Sequence, residues 1–155
     1  METCRQRVGN YGDKHMNESE IRTLVDSRSE AIRMKDIDRL MSHYSSDVVY
    51  FDAVPPLQYV GSAVLRDRFL QWFDAYKSGI GQDVRDLKIV ASGDIAVAFM
   101  LIRTGGTLKN GRELESWVRA TSCCRRSNLT WLITHEHVSV PVDPSSGRAA
   151  IGLVP

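Results

Sequence analysis

Two histidines two positions apart, His135 and His137, are the residues whose types and spacing first indicate chemistry. They lie in the stretch 131–141, which is typical of the last strand of a sheet. Imidazoles titrate near neutral pH, so they can relay protons or help to bind anions. Side chains alternate between the two faces of a strand. We therefore predict a pocket wall formed by Trp131, Ile133, His135, His137 and Ser139, with Leu132, Thr134, Glu136, Val138 and Val140 on the opposite face.

Asp52 is the carboxylate whose surroundings best suit acid–base chemistry. It ends a β-branched and aromatic run typical of a strand, and Pro55 and Pro56 prevent that strand from continuing. Apolar neighbours such as Phe51 and Val54 would partly desolvate the carboxylate and make it a stronger base. Alternatively, Asp52 is a turn residue that accepts hydrogen bonds from local backbone amides. The sequence leaves both interpretations open.

Trp117 and Arg119 share a face of the strand predicted over 112–125. Antiparallel pairing with the last strand would place them beside the two histidines. The Arg119 guanidinium could then hold a carboxylate in a forked geometry, assisted by His137, and His137 could relay a proton with Asp52. Alternatively, His135 lies at a rim or interface and His137 is a structural histidine. A third metal ligand is missing nearby, so we predict no metal, and no motif indicates a cofactor.

The composition limits the class of protein. A chain of 155 residues with 43% hydrophobic residues is typical of one globular domain with a core. The 20 basic and 19 acidic residues nearly cancel, which argues against a nucleic-acid partner. Three cysteines, two of them adjacent, favour a reducing compartment. We found no signal-peptide pattern and no apolar run of membrane-spanning length, so we predict a cytoplasmic protein without a membrane partner.

The elements that must position these residues are two helices, a strand, a third helix and four further strands. We predict a mobile arm over residues 1–17, a domain over 18–142 and a tail over 143–155. The helices are expected from Asn17 or Ser19 to Lys35, over 36–44 and over 63–77. The strands are expected over 48–52, 84–92, 95–104, 112–125 and 131–141. Helices followed by antiparallel strands predict an α+β fold whose sheet curls around the helices and leaves a cavity.

Several ordered segments carry a resemblance to a known family. They are residues 35–49, Asp52 with Pro55-Pro56 and Gly61, the pattern Trp117-x-Arg119-x-Thr121, and the last strand. Together they resemble the nuclear-transport-factor-2-like superfamily, and within it the SnoaL-like and ketosteroid-isomerase-like group. The resemblance implies a cone-shaped fold, in which a curved, mixed, mostly antiparallel sheet wraps three N-terminal helices around an internal pocket. It also implies that Asp52 is the acid or base of a small cofactor-independent isomerase, cyclase or dehydratase.

Two positions depart from the ketosteroid isomerases, whose oxyanion hole is a tyrosine and a protonated aspartate. Arg28 falls where the helical tyrosine would be, and Arg119 falls near the aspartate position. An arginine there favours an anionic ligand such as a carboxylate. Two functions stay open: an enzyme acting on a hydrophobic small molecule through Asp52, His137 and Arg119, or a non-catalytic module for carboxylate binding or dimerisation. The predicted substrate-binding residues are Tyr44, Tyr50, Trp72, Trp117 and His135.

The stretch 95–102 is apolar at almost every position, which is typical of a strand buried on both faces. Three helices cannot cover both sides of a five-stranded layer. An uncovered apolar face marks an interface, so we predict a homodimer with twofold symmetry.

Overall fold

The computed structural model describes residues 3–155, and for residues 3–11 the backbone alone. Three helices, α1 (Thr3–Arg33), α2 (Ile37–Met41) and α3 (Ser62–Ala75), lie in the first half of the chain. The strands are β1 (Tyr44–Phe51), β2 (Tyr59–Val60), β3 (Gly81–Ser92), β4 (Ile95–Thr107), β5 (Glu113–Ser127) and β6 (Thr130–Ser139). The order of helices and strands is the predicted one, with β2 as an addition in the loop after Pro55-Pro56.

Within the described residues, six strands form a single sheet in the order β2-β1-β6-β5-β4-β3. All neighbouring pairs are antiparallel except β1 and β6, which are parallel. Strands β1 and β6 are not joined by a hairpin, because β2, α3 and strands β3 to β5 lie between them in the chain. The helices pack on one face of this sheet, which we call the inner face, and the opposite one is the outer face. The predicted α+β fold with a mixed, mostly antiparallel sheet is confirmed.

Local signals fix the start of α2 but not the start of α1. The Asp36 side chain accepts a hydrogen bond of 3.0 Å from the Arg39 backbone amide, as the sequence predicted for a capping residue. By contrast, α1 begins at Thr3 and continues through the segment predicted as an arm. Asn17, proposed as a helix cap, is buried instead, and its Nδ2 donates to the Gly93 carbonyl. The polar composition of residues 1–17 was therefore misleading.

The hydrophobic core lies between the helices and the inner face. Ile21 and Ile32 from α1, Leu65 from α3, and Ala98 and Ile133 from the sheet are all fully buried. Full burial of a large aliphatic side chain stabilises the fold by about 1.5–3 kcal/mol. This core holds α1 and α3 at fixed positions above the sheet, so that their polar side chains have defined directions.

One extra residue in β6 decides which of its side chains face the helices. Ile133 pairs with Cys124 and His135 pairs with Cys123, so Thr134 is an additional residue with no partner of its own in β5. A bulge of this kind reverses the alternation of faces along a strand. Ile133 is buried before the bulge and Glu136 is buried after it, whereas His137 is exposed. The prediction that both histidines share a face with Ile133 is therefore wrong.

Strand β4, next to the edge strand β3, is buried on one face only. Ala98, Met100 and Ile102 are buried against the helices, while Ile95 and Phe99 are exposed on the outer face. The prediction of burial on both faces is wrong for the single chain, because the helices cover only the inner face.

None of the helices in the described part of the chain is long and apolar enough to cross a membrane.

Candidate functional site

The helices and the inner face of the sheet enclose a cavity of about 310 Å³. A cavity of this size suits a small organic molecule. Five strands, β1, β3, β4, β5 and β6, contribute side chains to its wall, and α3 covers it. Most of the wall is apolar, and its larger apolar residues include Tyr50, Phe69, Trp72, Tyr76, Ile102 and Val118.

The aromatic part of the wall is fixed by packing between β1 and α3. The Phe69 ring lies edge-on to Tyr50 with centroids 5.6 Å apart, and 6.4 Å from Trp72. Such contacts hold rings in one orientation while leaving their remaining surface to a ligand. The structure thus places Tyr50 and Trp72, both predicted for the pocket, in the lining of the cavity.

Asp52 lies at the cavity wall directly after β1. Its Oδ2 accepts a hydrogen bond of 2.7 Å from Nε of Arg68 in α3, and its Oδ1 accepts one of 2.7 Å from the Ala53 amide. The side chains of Asp52 and Arg68 are only 12% and 16% exposed. Asp52 therefore accepts a hydrogen bond from a local backbone amide, as a turn residue does, and it also lines the cavity.

A second ion pair lies at the base of the cavity and joins α1 to β6. Arg28 Nη2 donates to Oε2 of Glu136 over 2.9 Å, and Arg28 Nε donates to the Tyr44 hydroxyl over 2.8 Å. Tyr44 in turn donates to Oε2 of Glu136 over 2.7 Å, and Ser122 donates to Oε1 over 2.8 Å. Arg28 lines the cavity, whereas the other three residues lie behind it.

Burial controls the protonation of this group. Burial by itself lowers the pKa of Arg28, but Glu136 and Tyr44 oppose it and hold the pKa above its ordinary value, so the guanidinium stays charged. Burial raises the pKa of Tyr44 although Arg28 partly offsets the effect, and burial with the Glu136 and Asp52 carboxylates raises the pKa of Tyr50. Both tyrosines are therefore neutral at pH 7.

Three uncharged polar side chains form a row on adjacent strands at another side of the cavity. Gln82, Thr104 and Ser116 are paired in register across β3, β4 and β5. The Gln82 Nε2 donates to Thr104 Oγ1 over 2.7 Å. These residues add hydrogen-bonding capacity without charge, and β3 and β1 lie far apart in the strand order, so this row is separate from Asp52.

Four predicted site residues lie together, but on the outer face rather than in the cavity. Thr121 pairs with His137 and Cys123 with His135, so the two histidines face the same way as Trp117 and Arg119, as predicted. Because that side faces away from the helices, the predicted pocket wall is not formed by these residues. The cavity is instead lined on β5 and β6 by Leu114, Ser116, Val118 and Val138.

The outer-face residues have partners of their own. His135 Nδ1 donates to the Val49 carbonyl over 2.8 Å, and the rings of His135 and His137 pack edge-on against Phe51 at 4.8 and 5.6 Å. Arg119 Nε donates to Ser139 over 3.2 Å. Arg119 lines neither this cavity nor a second pocket of about 640 Å³, but His137 lines that second pocket together with Asp52. In the described part of the chain, we found no group of three His, Cys, Asp or Glu residues that could hold a metal ion.

Sequence reasoning missed Arg68 and Glu136. Arg68 lies three residues after Leu65 and four before Trp72, so helical spacing places it close to the inward stripe of α3. That spacing could have indicated that Arg68 faces the cavity. A carboxylate such as Asp52 in apolar surroundings also needs a cationic partner, which favours the same assignment. Glu136 offered no such signal, since strict alternation assigned it to the face opposite Ile133.

The sequence and the fold of this chain are both similar to those of known proteins. The model of the SnoaL-like domain matches residues 21–143. A protein of unknown function from Pseudomonas putida KT2440, of the nuclear-transport-factor-2-like type, has 31% sequence identity and a TM-score of 0.83, with 91% of this chain and 98% of that chain covered. No match was found among curated proteins.

More distant structures share the fold. A ketosteroid-isomerase-like protein from Erwinia carotovora atroseptica SCRI1043 has 19% identity and a TM-score of 0.68 over 78% of this chain and 93% of that chain. A nuclear-transport-factor-2-like protein with a cystatin-like fold from Novosphingobium aromaticivorans has 16% identity and a TM-score of 0.71, covering 96% of both chains.

Proposed function

The chain belongs to the SnoaL-like domain family, and from this premise we propose that it is a small cofactor-independent enzyme using Asp52 as an acid or base. The wider family includes isomerases and dehydratases. The proposed reaction is of the isomerase, cyclase or dehydratase type, in which a proton is moved on a hydrophobic small molecule held in the cavity.

The placement of the Asp52 carboxylate is the observation that supports this proposal most directly. A general base must be held within hydrogen-bonding reach of the proton that it removes. Each Asp52 oxygen accepts one hydrogen bond, from Ala53 or from Arg68, and therefore keeps a free lone pair for a substrate proton. The largely apolar wall around it would exclude water once a ligand is bound.

The remaining cavity residues support binding rather than proton transfer in this proposal. Arg68 holds the carboxylate in one orientation, while Tyr50 and Trp72 shape the space for an apolar ring. In this proposal Arg119 and His137 do not touch a molecule bound in the cavity, because neither residue lines it.

The alternative function is a non-catalytic binding or dimerisation module.

We propose, for either function, that two copies of the chain pair through the outer face. The supporting observation is that Val90 and Phe99, neighbours on that face of β3 and β4, are 61% and 42% exposed. Exposed apolar side chains clustered on a sheet favour an interface.

Proton exchange tests the enzymatic proposal without knowledge of the natural product. Aryl and alicyclic ketones are incubated with the protein in D₂O, and deuterium at the carbon next to the carbonyl is measured by mass spectrometry. We expect exchange by the wild type and at least a ~100-fold slower rate for Asp52→Asn, since a positioned base contributes about that much. Asp38→Asn is the matched control, because Asp38 pairs with Arg66 at the surface.

Two results would contradict the proposal. Unchanged exchange in Asp52→Asn would show that Asp52 is not the base. Ligand binding without exchange in the wild type, across the whole panel, would favour the non-catalytic module instead.

A further inference from the structure

The guanidinium of Arg28 has one nitrogen without a protein acceptor. Its Nε donates to Tyr44 and its Nη2 donates to Glu136, whereas Nη1 makes no hydrogen bond to any residue that the structure describes. Arg28 is almost completely buried, and it lines the cavity. A guanidinium N–H group without a protein acceptor can donate to an acceptor atom in the cavity. A molecule in the cavity that offers an oxygen acceptor would therefore satisfy Nη1.

The positive charge of Arg28 is balanced by the carboxylate of Glu136, which lies behind the cavity wall. Glu136 is buried and does not line the cavity, and both of its carboxylate oxygens accept hydrogen bonds, from Ser122 at Oε1 and from Arg28 and Tyr44 at Oε2. The other cation at the wall, Arg68, is paired with Asp52. Each positive side chain facing the cavity thus has its own carboxylate, so the lining has no unmatched charge.

This balance has opposite consequences for anions and for neutral molecules. An anion would lose its hydration on entry and would find no unpaired cation to replace it, and beside Arg28 it would also approach the Glu136 carboxylate. A neutral molecule with an acceptor oxygen can take the hydrogen bond of Nη1 without adding a charge. Its ring can pack on Tyr50, Phe69 and Trp72.

We propose that Glu136 determines the charge class of the ligand, by cancelling the charge of Arg28 so that the cavity selects uncharged molecules with an acceptor oxygen over carboxylates. Glu136 is a specificity-determining residue that acts through Arg28 and does not touch the ligand. The inference rests on the proposed function only in taking the cavity as the ligand site, and it requires no turnover.

Acetophenone and benzoate are suitable probes, because they have nearly the same shape and differ in charge at pH 7. Each is titrated into ¹⁵N-labelled protein, and Kd is obtained from the backbone amide shifts of cavity residues such as Val118 and Val138. We expect the wild type to bind acetophenone at least ~10-fold more tightly than benzoate. Glu136→Gln removes the negative charge that balances Arg28, so we expect it to shift the ratio of the two Kd values at least ~10-fold towards benzoate. Asp74→Asn is the control, since Asp74 pairs with Lys109 at the surface, and should leave the ratio unchanged.

Several results would overturn the inference. They are tighter binding of benzoate by the wild type, no binding of acetophenone up to its solubility limit, and an unchanged ratio in folded Glu136→Gln. Where the variant does not fold, tighter binding of benzoate by the wild type still overturns the inference. Because only binding is measured, the ranking can fail while the exchange reaction of Asp52 stands, and the exchange reaction can fail while the ranking stands.

Discussion

Arg28 of α1 and Glu136 of β6 form an ion pair of 2.9 Å in which the two side chains are only 7% and 1% exposed. The pair joins the helical layer to the sheet at the base of the cavity. Tyr44 and Ser122 supply the remaining hydrogen bonds, so the carboxylate has a complete set of partners. A buried charge is tolerated only when such partners are present, and the pair should therefore be sensitive to the loss of one member.

Glu136→Gln should lower the free energy of unfolding by about 3 kcal/mol, because it leaves the buried Arg28 charge uncompensated. Asp74→Asn removes a carboxylate from an exposed pair with Lys109 and should cost no more than about 1 kcal/mol. Urea unfolding at pH 7 measures both values. Equal losses in the two variants would show that the Arg28–Glu136 pair contributes no more than a surface pair.

Much of the fold could be predicted because local signals and the global fold agree. Asp36 caps α2, Asn110-Gly111 lies between β4 and β5, and the elements follow one another in the order that the apolar patterns indicate. The shared face of Trp117, Arg119, His135 and His137 was also predicted correctly, since it depends only on alternation and on antiparallel pairing.

The side of the sheet on which His135 and His137 lie could not be predicted, because it depends on one extra residue in β6. Ile133 and His135 have the same parity in the sequence, and Ile133 is buried in the core. The bulge at Thr134 separates them, and a single insertion moves every later side chain of β6 to the other face. The sequence around Thr134 contains no glycine or proline that would indicate a bulge.

Neighbouring residues of β6 provide a direct test of this assignment. Val138 lines the cavity, whereas His137 is exposed on the outer face. Val138→Phe should therefore fill part of the cavity and weaken acetophenone binding at least ~10-fold, because a close-packed site cannot accommodate the added ring. His137→Phe places the same ring on the outer face and should change the Kd less than ~2-fold. The reverse pattern in the NMR titration would show that the predicted alternation, and not the bulge, is correct.

The proposed homodimer depends on the apolar outer face of β4. Phe99→Glu would place a charge within the proposed interface and should convert a dimer into a monomer, since a buried unpaired charge is strongly unfavourable. Val64→Glu is the matched control, because Val64 is a similarly exposed apolar residue on α3. Light scattering coupled to size exclusion measures the mass of each variant. A monomeric wild type, or a Phe99→Glu variant that stays dimeric, would contradict pairing through this face.

His43 should make the protein less stable in mild acid. Burial lowers the pKa of His43 below its ordinary value of 6.5, and the positive charges of Arg28 and Arg39 lower it further. Below pH 6.5 the unfolded chain therefore binds a proton that the folded chain does not yet bind. The free energy of unfolding accordingly falls as the pH decreases through that value.

The His43→Gln variant isolates this contribution, because glutamine cannot titrate but can keep the hydrogen bond that His43 Nε2 makes with Ser27 Oγ over 3.1 Å. We expect the wild type to lose more stability than His43→Gln when urea unfolding is compared at pH 7.5 and pH 5.5. The raised pKa of Tyr44 and Tyr50 acts only at alkaline pH and does not enter this comparison. Equal losses in the two proteins would mean that His43 takes up its proton equally well in the folded and unfolded chains.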